Sequence, residues 1–589
     1  MKRYIYLIAL TLLAAASCNK FTELEPTRFY GQNVVWNGDE ATLDQYVFGL
    51  YAAVRDKAEI YNSNMNSFTD AYTDLVKTSG WDQYGQGYNI AMLQETSFNS
   101  SDAGAFEIWG DSYNRIKRDN QFLRDAEKFA DKYDKAYLER CKAEVRFLKA
   151  FSYYYLIRVY GGVVLRGENV DGPDENDAPR ASEADSWSYV IGNLKAAAGN
   201  LPESWPASGY GRATKTAAYA YLSRVALYKA CALKNAGAPE DSVSAAYKLA
   251  ISAADEVISG EAKGLVALSP DYANIFNNQT NKENILTVTF FGNDLAKGLA
   301  HRGDTFLRPV GDTYFPGGAG TFAEGGTEVY GTFGPTSELV DSYEMADGTQ
   351  FDWATCGADP YAGREPRFYA TIIYNGMAWE KREIRTYALD GYSDADPSDA
   401  GSHYPYDHIA QYKNQGSAGS TVTGYYMRKW ITEGDRDWLL NGSSHYWIAI
   451  RYAEVLLNKA EAQAQTGDIS GALLTLQRVR DRVSLPTPGA SNLEEFMEIL
   501  EHERVVELAG EGFRFWDLRR WRRAVDVLNN VQFHGCWITR AADGTLDYKQ
   551  VSVDADTPRV FLERYYAFAI PESERSTNMA LNNENNPGW

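Results

Sequence analysis

Cysteine is scarce in this sequence, with 5 Cys among 589 residues. No two cysteines form a C-x-x-C pair and none lies at metal-binding spacing from a histidine, so zinc ribbons and disulfide-exchange motifs are excluded. Cys141 and Cys231 lie in apolar helical stretches and are expected to be buried thiols. Cys356 and Cys536 could pair in an exported protein, but spacing alone does not decide this.

The short motifs that mark many catalytic sites are also missing. The sequence contains no G-x-S-x-G elbow, no H-E-x-x-H helix and no P-loop. His403 and His408 bracket the segment HYPYDH without a third ligand, and the acidic stretch 393–401 matches no calcium-cage spacing. With 79 acidic residues, candidate carboxylate pairs are inevitable and do not indicate a glycosidase. The residues therefore give no support for a hydrolase, and they indicate no metal or cofactor site.

Positive charge is in deficit. Lys and Arg number 58 against 79 Asp and Glu, which gives a formal charge of -21. Such a field repels polyanions on average, so nucleic acid and anionic lipid are poor partners, and neutral or basic ligands are favoured over sulfated or uronic ones. Aromatic residues are abundant, with 41 Tyr, 25 Phe and 14 Trp. So many tyrosines indicate amphipathic rings at a wet surface or interface.

After the N-terminus the sequence contains no long apolar run. A transmembrane helix would need about 20 consecutive, mostly apolar residues. The N-terminus itself has a short basic start and an apolar stretch that ends in Ala-Ala-Ser-Cys. This pattern predicts a signal peptide over residues 1–17. Small residues followed by Cys18 resemble a bacterial lipoprotein cleavage site, so we expect lipidation of Cys18 and a tether over 18–38. The alternative is ordinary secretion with cleavage near Ser17.

Residues 39–261 have the periodicity of successive helices. Asp39 is a suitable N-cap for the first of them. The segment 141–162 is apolar on two faces and ends at a Gly-Gly pair, which predicts a helix packed between neighbours. Ala-rich segments at 211–233 and 244–260 predict two further helices that approach each other closely.

The clearest repeat unit lies at 450–483, IRYAEVLLNKAEAQAQTGDISGALLTLQRVRDRV. Gly467 is expected to end its first helix and Asp468 to cap the second. Two short antiparallel helices joined by a tight turn are typical of a tetratricopeptide-like repeat. One such unit cannot bury its apolar face alone, so the earlier helices are expected to stack with it.

Between these helical blocks the composition changes. Residues 281–291 alternate as a β-strand does, and 292–336 contain 11 glycines interleaved with aromatic residues. Residues 391–424 are similarly loose and polar. Long irregular segments of this kind are usually functional. We therefore expect a loop-rich, ligand-binding insertion over 262–445, followed by a C-terminal repeat region over 446–589.

The segment 510–523, GEGFRFWDLRRWRR, combines arginines with aromatic rings. Within residues 494–523 eight acids oppose six arginines, so the net basic face that nucleic-acid binding requires is missing. The aromatic residues recur at helical spacing. We predict a structural helix with Trp516 and Trp521 in the core and its arginines paired with the glutamates just before it.

Several segments together resemble one known family. EVRFLKAFSYYYLIRVYGGVVL, GRATKTAAYAYLSRVALY, IRYAEVLLNKAEA, ERVVELAGEGFRFWDLRRW and FAIPESERSTNMALNNENNPGW are similar to the signatures of SusD/RagB-type outer-membrane lipoproteins, in that family's order from residue 18 to the end. The resemblance implies a mainly α fold, with four tetratricopeptide-like helix pairs as a scaffold and a large irregular, loop-rich insertion. It also implies a lipid-anchored, outward-facing location and a partner, the TonB-dependent SusC-type barrel, over which the lipoprotein acts as a hinged lid. The family captures glycans, or in some branches peptides, and is not catalytic.

A sugar site is expected where exposed rings adjoin polar groups, since pyranose C–H faces stack on flat aromatics while their hydroxyls need hydrogen-bonding partners. The early loop SGWDQYGQGYN, the glycine-rich segment and one tryptophan beyond it have this pattern. The candidates are Trp81, Asp82, Tyr84, Tyr88, Tyr314, Phe315, Tyr330 and Trp353. Trp81 could instead pack onto the helices, and both Trp353 and Trp379 could be lids of small cores rather than platforms.

The sequence thus predicts a cell-surface lipoprotein that binds an oligo- or polysaccharide and delivers it to a SusC-type outer-membrane transporter. Three alternatives stay open. They are peptide capture by the same kind of lid, a glycoside hydrolase, and a repeat scaffold that docks only another protein.

Overall fold

The computed structural model of the protein describes most of the chain. The described residues are 32–58, 68–78, 106–168, 177–290, 301, 303–309, 312, 329, 331–380, 382–389, 407, 421–433, 445–554, 558–581 and 584–589. Everything below refers to these residues.

Helices form most of the described part. Their bounds are α1 Gln32–Asn37, α2 Glu40–Leu50, α3 Ala52–Arg55, α4 Trp109–Lys128, α5 Lys135–Tyr160, α6 Glu183–Asn200, α7 Lys215–Asn235, α8 Glu240–Ile258, α9 Ala273–Asn277, α10 Gly303–Phe306, α11 Ser337–Ser342, α12 Pro366–Thr371, α13 Tyr452–Gln465, α14 Ile469–Asp481, α15 Leu493–Leu508, α16 Arg514–Arg520, α17 Ala524–Leu528 and α18 Glu572–Thr577. Helices α5, α7, α8, α13 and α14 lie where the sequence predicts them. The fold is mainly α, as expected.

Side-chain caps set the starts of these helices. Asp39 accepts a hydrogen bond from the Thr42 backbone N–H at 2.9 Å, which confirms it as the cap of α2. Ser182 and Thr214 cap α6 and α7 in the same way. Helix α5 ends at Gly161, whose φ of 72° lies in the left-handed region where glycine is favoured.

The helices stack in a continuous series. Each of α4 to α7 packs against the next helix in the chain, and α13 packs on both α7 and α8. Between α13 and α14, Gly467 has a φ of 91° and the Asp468 carboxylate accepts from the Gly471 N–H at 2.9 Å. The predicted repeat unit and its stacking on the earlier helices are therefore confirmed.

Short strands connect the loop-rich part to this scaffold. They are β1 Val76–Thr78, β2 Asn284–Val288, β3 Phe333–Pro335, β4 Ile372–Ile373, β5 Ala378–Trp379, β6 Arg382–Glu383, β7 Ala388–Leu389, β8 Tyr426–Met427, β9 Trp447–Arg451, β10 His534–Arg540 and β11 Leu546–Ser552. Strand β2, predicted from its alternation, pairs antiparallel with β9 directly before α13. The pairs β1–β3, β4–β8 and β5–β6 are also antiparallel, and β10 lies between β11 (antiparallel) and β7 (parallel).

A buried network of ion pairs joins the insertion to the C-terminal helices. Its members are Glu283, Glu344, Glu365, Arg367, Lys429, Arg451, Arg480, Arg482, Glu503, Glu507 and Glu511. Glu507 lies at its centre and contacts Arg451 at 2.7 Å, Arg367 at 3.0 Å and Arg482. These guanidinium groups hold the pKa of Glu507 well below its usual range, although burial alone would raise it.

The arginine-rich segment 510–523 is structural, as predicted. Arg514 bonds both Asp74 and Glu501 at 2.8 Å, and Arg523 also pairs with Glu501 of the preceding helix. For three other arginines the predicted partners are wrong, and one of them, Arg522, contacts Glu563 at 3.1 Å. Arg520 pairs with Asp517 and with Glu461 of α13. Arg519 instead donates to carbonyl oxygens at the C-terminal end of α5, where the helix dipole favours a cation.

The aromatic residues of this segment divide between core and rim. Trp516 is buried in the main core, as expected. Trp521 is only half-buried, because its indole N–H reaches Glu461 at 2.9 Å at the edge of α13. Its assignment to the core is therefore right in part.

The cysteines form no disulfide within the described part. Cys141 and Cys231 are buried thiols, as predicted. Cys356 and Cys536, whose pairing the sequence left open, are both free.

Candidate functional site

The antiparallel pair β1–β3 is the base of the candidate site. Thr78 is opposite Phe333, and the Thr336 N–H donates to the Leu75 carbonyl at 3.0 Å. Lys77 is held by a salt bridge of 3.2 Å to the buried Asp554. Thr78 is the last described residue before 79–105, and Phe333 follows closely after 313–330. The strand pairing thus brings together the points where the early loop leaves the scaffold and the glycine-rich segment returns to it.

A threonine turn joins a third segment to the same place. Thr421, the first described residue after 408–420, donates to the Tyr425 carbonyl at 2.7 Å and accepts from the Thr423 N–H at 3.1 Å. A Cβ at Gly334 of β3 would overlap Thr423 Oγ1, so only glycine allows this approach. The Cys536 N–H donates to the Thr423 carbonyl at 2.8 Å, which fixes β10 to the turn.

Most of the predicted binding residues belong to the two segments whose described ends are paired in β1 and β3. Trp81, Asp82, Tyr84, Tyr88, Tyr314, Phe315 and Tyr330 lie outside the described residues, as do Cys18, His403 and His408. The structure describes where their segments are attached, and two of the attachment points are directly paired.

Trp353 is the predicted site residue that the structure describes. Its ring is half-buried and meets Phe351 edge-on at 5.4 Å and Tyr548 of β11 at 6.4 Å between centroids. Its indole N–H donates to Asp341 Oδ2 at 2.9 Å. The same oxygen accepts from Gln550 Nε2 at 2.8 Å. Asp341 lies in α11, the helix that follows β3 after one residue, so this hydrogen bond ties Trp353 to the segment directly after β3.

Burial sets the electrostatics around this ring. It raises the pKa of Asp341 to about 6, and the hydrogen bonds from Trp353 and Gln550 oppose the shift. At neutral pH the carboxylate is therefore charged and accepts both donors. A ring bordered by a carboxylate and an amide can stack on an apolar face of a ligand while it hydrogen-bonds the ligand's rim.

Trp379 is the second tryptophan that could be either a binding platform or the lid of a small core. It is fully buried, with 1% exposure, and its indole N–H donates to Asp312 Oδ2 at 3.1 Å. Asp312 also binds the guanidinium groups of Arg308 and Arg382. Trp379 is therefore a core residue.

Sequence reasoning missed Asp341, Tyr548 and Gln550. The alternation LDYKQVS in β11 indicates a strand with Tyr548 and Gln550 on one face. Nothing local in the sequence relates this face to Trp353, because Gln550 and Asp341 are 209 residues apart.

In the described part of the chain, no group of three or more His, Cys, Asp or Glu side chains is placed to hold a metal ion. Among the described helices, none combines the length and the apolar character needed to cross a membrane.

Comparisons with known proteins identify the relatives of this architecture. The SusD family model matches residues 282–589, and a second model, described as starch-binding and associating with the outer membrane, matches residues 24–227. A SusD-like protein of Bacteroides ovatus is 24% identical over 588 residues, which cover 97% of this chain and 93% of the relative.

Solved structures agree with this assignment. The crystal structure of a SusD-like protein from Bacteroides fragilis superposes with a TM-score of 0.75 at 26% identity, covering 95% of this chain and 99% of that one. A SusD-like carbohydrate-binding protein from the same species gives a TM-score of 0.72 at 24% identity, covering 93% and 99%. Because the SusD family model matches residues 282–589, which are more than half of the chain, the chain belongs to the SusD family.

Proposed function

We propose that the protein is a cell-surface lipoprotein that binds a glycan and delivers it to a TonB-dependent SusC-type outer-membrane transporter, without catalysis. In this proposal residues 1–17 are a signal peptide, Cys18 carries the lipid and 18–38 form the tether. Helical repeats over 39–261 and 446–589 then present the insertion 262–445 to the ligand.

One observation carries the proposal. The described residues that flank three segments rich in aromatic or polar residues lie together, at the β1–β3 pair and the Thr421–Thr423 turn. Trp81, Asp82, Tyr84 and Tyr88 would then line the site from one segment, and Tyr314, Phe315 and Tyr330 from the next. A concave cluster of rings with a few placed polar groups suits a sugar chain.

The family relationship supports the ligand class. One matching family model is described as starch-binding and associating with the outer membrane, and a structural neighbour is named as carbohydrate-binding. The net charge of -21 favours neutral glycans over sulfated or uronic ones.

The test is a titration of the full-length protein, purified in mild detergent, against soluble polysaccharides. The panel holds laminarin, starch, xylan and galactomannan as neutral chains, polygalacturonate and chondroitin sulfate as charged chains, and a peptide digest. Chromatography of each mixture detects cleavage. We expect saturable binding of a neutral chain with no shortened product. If only the peptide digest binds, the ligand is a peptide and not a glycan. If a shortened product is released, the protein is a hydrolase.

Lipidation and delivery have their own tests. Metabolic labelling with a fatty acid should mark the wild type, and Cys18→Ala should remove the label and release the protein from the membrane fraction. Co-purification from membranes should recover a large TonB-dependent barrel with the wild type. Recovery of the lipoprotein alone would contradict the proposed partner.

A further inference from the structure

Trp537 lies on the outer face of the β10–β11 hairpin. Its neighbours in the strand, Cys536 and Ile538, are fully buried, and successive side chains of a strand point to opposite faces. Trp537 is directly opposite Lys549, which is exposed. Directly opposed residues of an antiparallel pair share a face, so both point away from the core. Trp537 itself is partly exposed.

The indole N–H of Trp537 distinguishes it from other half-buried tryptophans. These donate to protein acceptors: Trp205 to the Ala213 carbonyl, Trp353 to Asp341, Trp521 to Glu461 and Trp589 to the Ala567 carbonyl. Within the described ranges, the Trp537 indole nitrogen has no hydrogen-bond acceptor. It is also not one of the buried nitrogen atoms that lack a partner. A buried indole N–H usually finds a partner within the protein, whereas a partly exposed one can donate to a ligand. Trp537 therefore presents both a partly open ring and an unused donor to solvent.

On the outer face of the hairpin itself, the charges beside this ring balance. The outer face also holds Thr539 and Asp547, which are opposite each other in the register, next to the Trp537–Lys549 pair. The carboxylate and the ammonium balance in charge, and with the hydroxyl they supply both donors and acceptors. Such a set suits a neutral, hydroxyl-rich ligand better than an ion.

The platform is also rigid, and the opposite face of its hairpin borders the candidate site. Seven consecutive residue pairs hold the hairpin, from His534 opposite Ser552 to Arg540 opposite Leu546. The inner face of the same hairpin carries Tyr548, which contacts Trp353. Sites on regular elements keep their geometry better than sites on loops.

We propose that Trp537 is a second sugar-stacking platform, which binds a neutral pyranose unit of the glycan on the outer face of the β10–β11 hairpin. This assignment rests on the proposed glycan-binding function. The ring stacks on the sugar's C–H face, its N–H donates to a hydroxyl, and Thr539, Asp547 and Lys549 bond the remaining hydroxyls.

The test compares full-length Trp537→Ala, Trp537→Phe and wild type in titrations with laminarin and with soluble starch. Losing one stacked ring should weaken binding about three- to tenfold. Trp537→Phe keeps a ring and should lie between the two. Phe48→Ala is the matched control, because Phe48 is an aromatic residue of α2 with 58% exposure. It should bind as the wild type does.

Oxidative footprinting supplies a readout that does not depend on a variant's folding. Trp537 in the wild type should be oxidised in the free protein and protected by the bound polysaccharide. Equal affinity of wild type and Trp537→Ala, or oxidation of Trp537 that the bound chain leaves unchanged, would overturn the platform while the proposed function stands. If the wild type binds neither polysaccharide, the proposed function fails for these glycans and the platform fails with it.

Discussion

Replacing Glu507 by Gln tests the buried ion network most sharply. Glu507 is fully buried and faces Arg367, Arg451 and Arg482, so the substitution keeps the shape of the side chain and removes its charge. The three guanidinium groups then lose one of their carboxylate partners in a buried site. Breaking a buried ion pair from one side costs about 3–5 kcal/mol, so we expect a loss of that size in the free energy of unfolding at pH 7.

The assay is denaturant-induced unfolding, followed by circular dichroism and tryptophan fluorescence. Glu498→Gln is the matched control, because Glu498 lies in the same helix α15 and is exposed. It should change the free energy by no more than about 0.5 kcal/mol. A loss below about 1 kcal/mol in Glu507→Gln would refute the reasoning that these arginines depend on this carboxylate.

The pH dependence of the same variant has a definite sign. The folded-state pKa of Glu507 is held well below that of the unfolded chain, about 4.3. The stabilisation is therefore fully present above about pH 5 and is lost as the pH falls through the folded-state pKa. The difference between wild type and Glu507→Gln should be constant from pH 5 to 8 and should shrink below about pH 4. A difference that grows on acidification would contradict this linkage.

Three further substitutions test the close approach at β3, the cap of helix α14 and the raised pKa of Asp341. Gly334→Ala places a Cβ against Thr423 Oγ1 and should lower the free energy of unfolding by about 1–3 kcal/mol. The control, Gly199→Ala, changes an open position of α6 and should be neutral or stabilising. If the two substitutions change the free energy of unfolding equally in chemical denaturation, Gly334 does not approach Thr423 closely. Asp468→Ala removes the cap of α14 and should cost about 1 kcal/mol in the same assay, so an unchanged midpoint would contradict the capping role. For Asp341 the folded-state pKa of about 6 lies above its unfolded value, so its protonation stabilises the folded state as the pH falls from 7 to about 4. Asp341→Asn should lack this gain when the unfolding free energy is measured across that range, and an identical pH profile would show that Asp341 has no raised pKa.

The helical scaffold could be predicted because its signals are local. The Gly467–Asp468 turn contains both the residue that ends α13 and the residue that caps α14, and the sequence shows them side by side. The inward direction of the aromatic residues in the arginine-rich segment followed from their helical spacing, and a count of nearby charges excluded a basic face.

The ion-pair partners could not be predicted in the same way. Nearest neighbours in the sequence suggested that the arginines after position 510 neutralise the glutamates before it. In the structure Glu507 is instead neutralised by Arg367, Arg451 and Arg482, two of which lie over 50 residues away, because tertiary packing decides which charges are buried together. The surroundings of Trp353 were hidden for the same reason, since Asp341 and Gln550 meet only after folding.

The central claim is that a glycan binds where the early loop, the glycine-rich segment and Trp353 come together. The most direct measurement is the affinity of the full-length protein for a neutral polysaccharide in four forms: wild type, Trp81→Ala, Trp353→Ala and the double variant. The account predicts that each single substitution weakens binding about three- to tenfold, and the double variant more than either, with little change in thermal stability. Wild-type affinity in all three variants would contradict the account and place the site elsewhere on the protein.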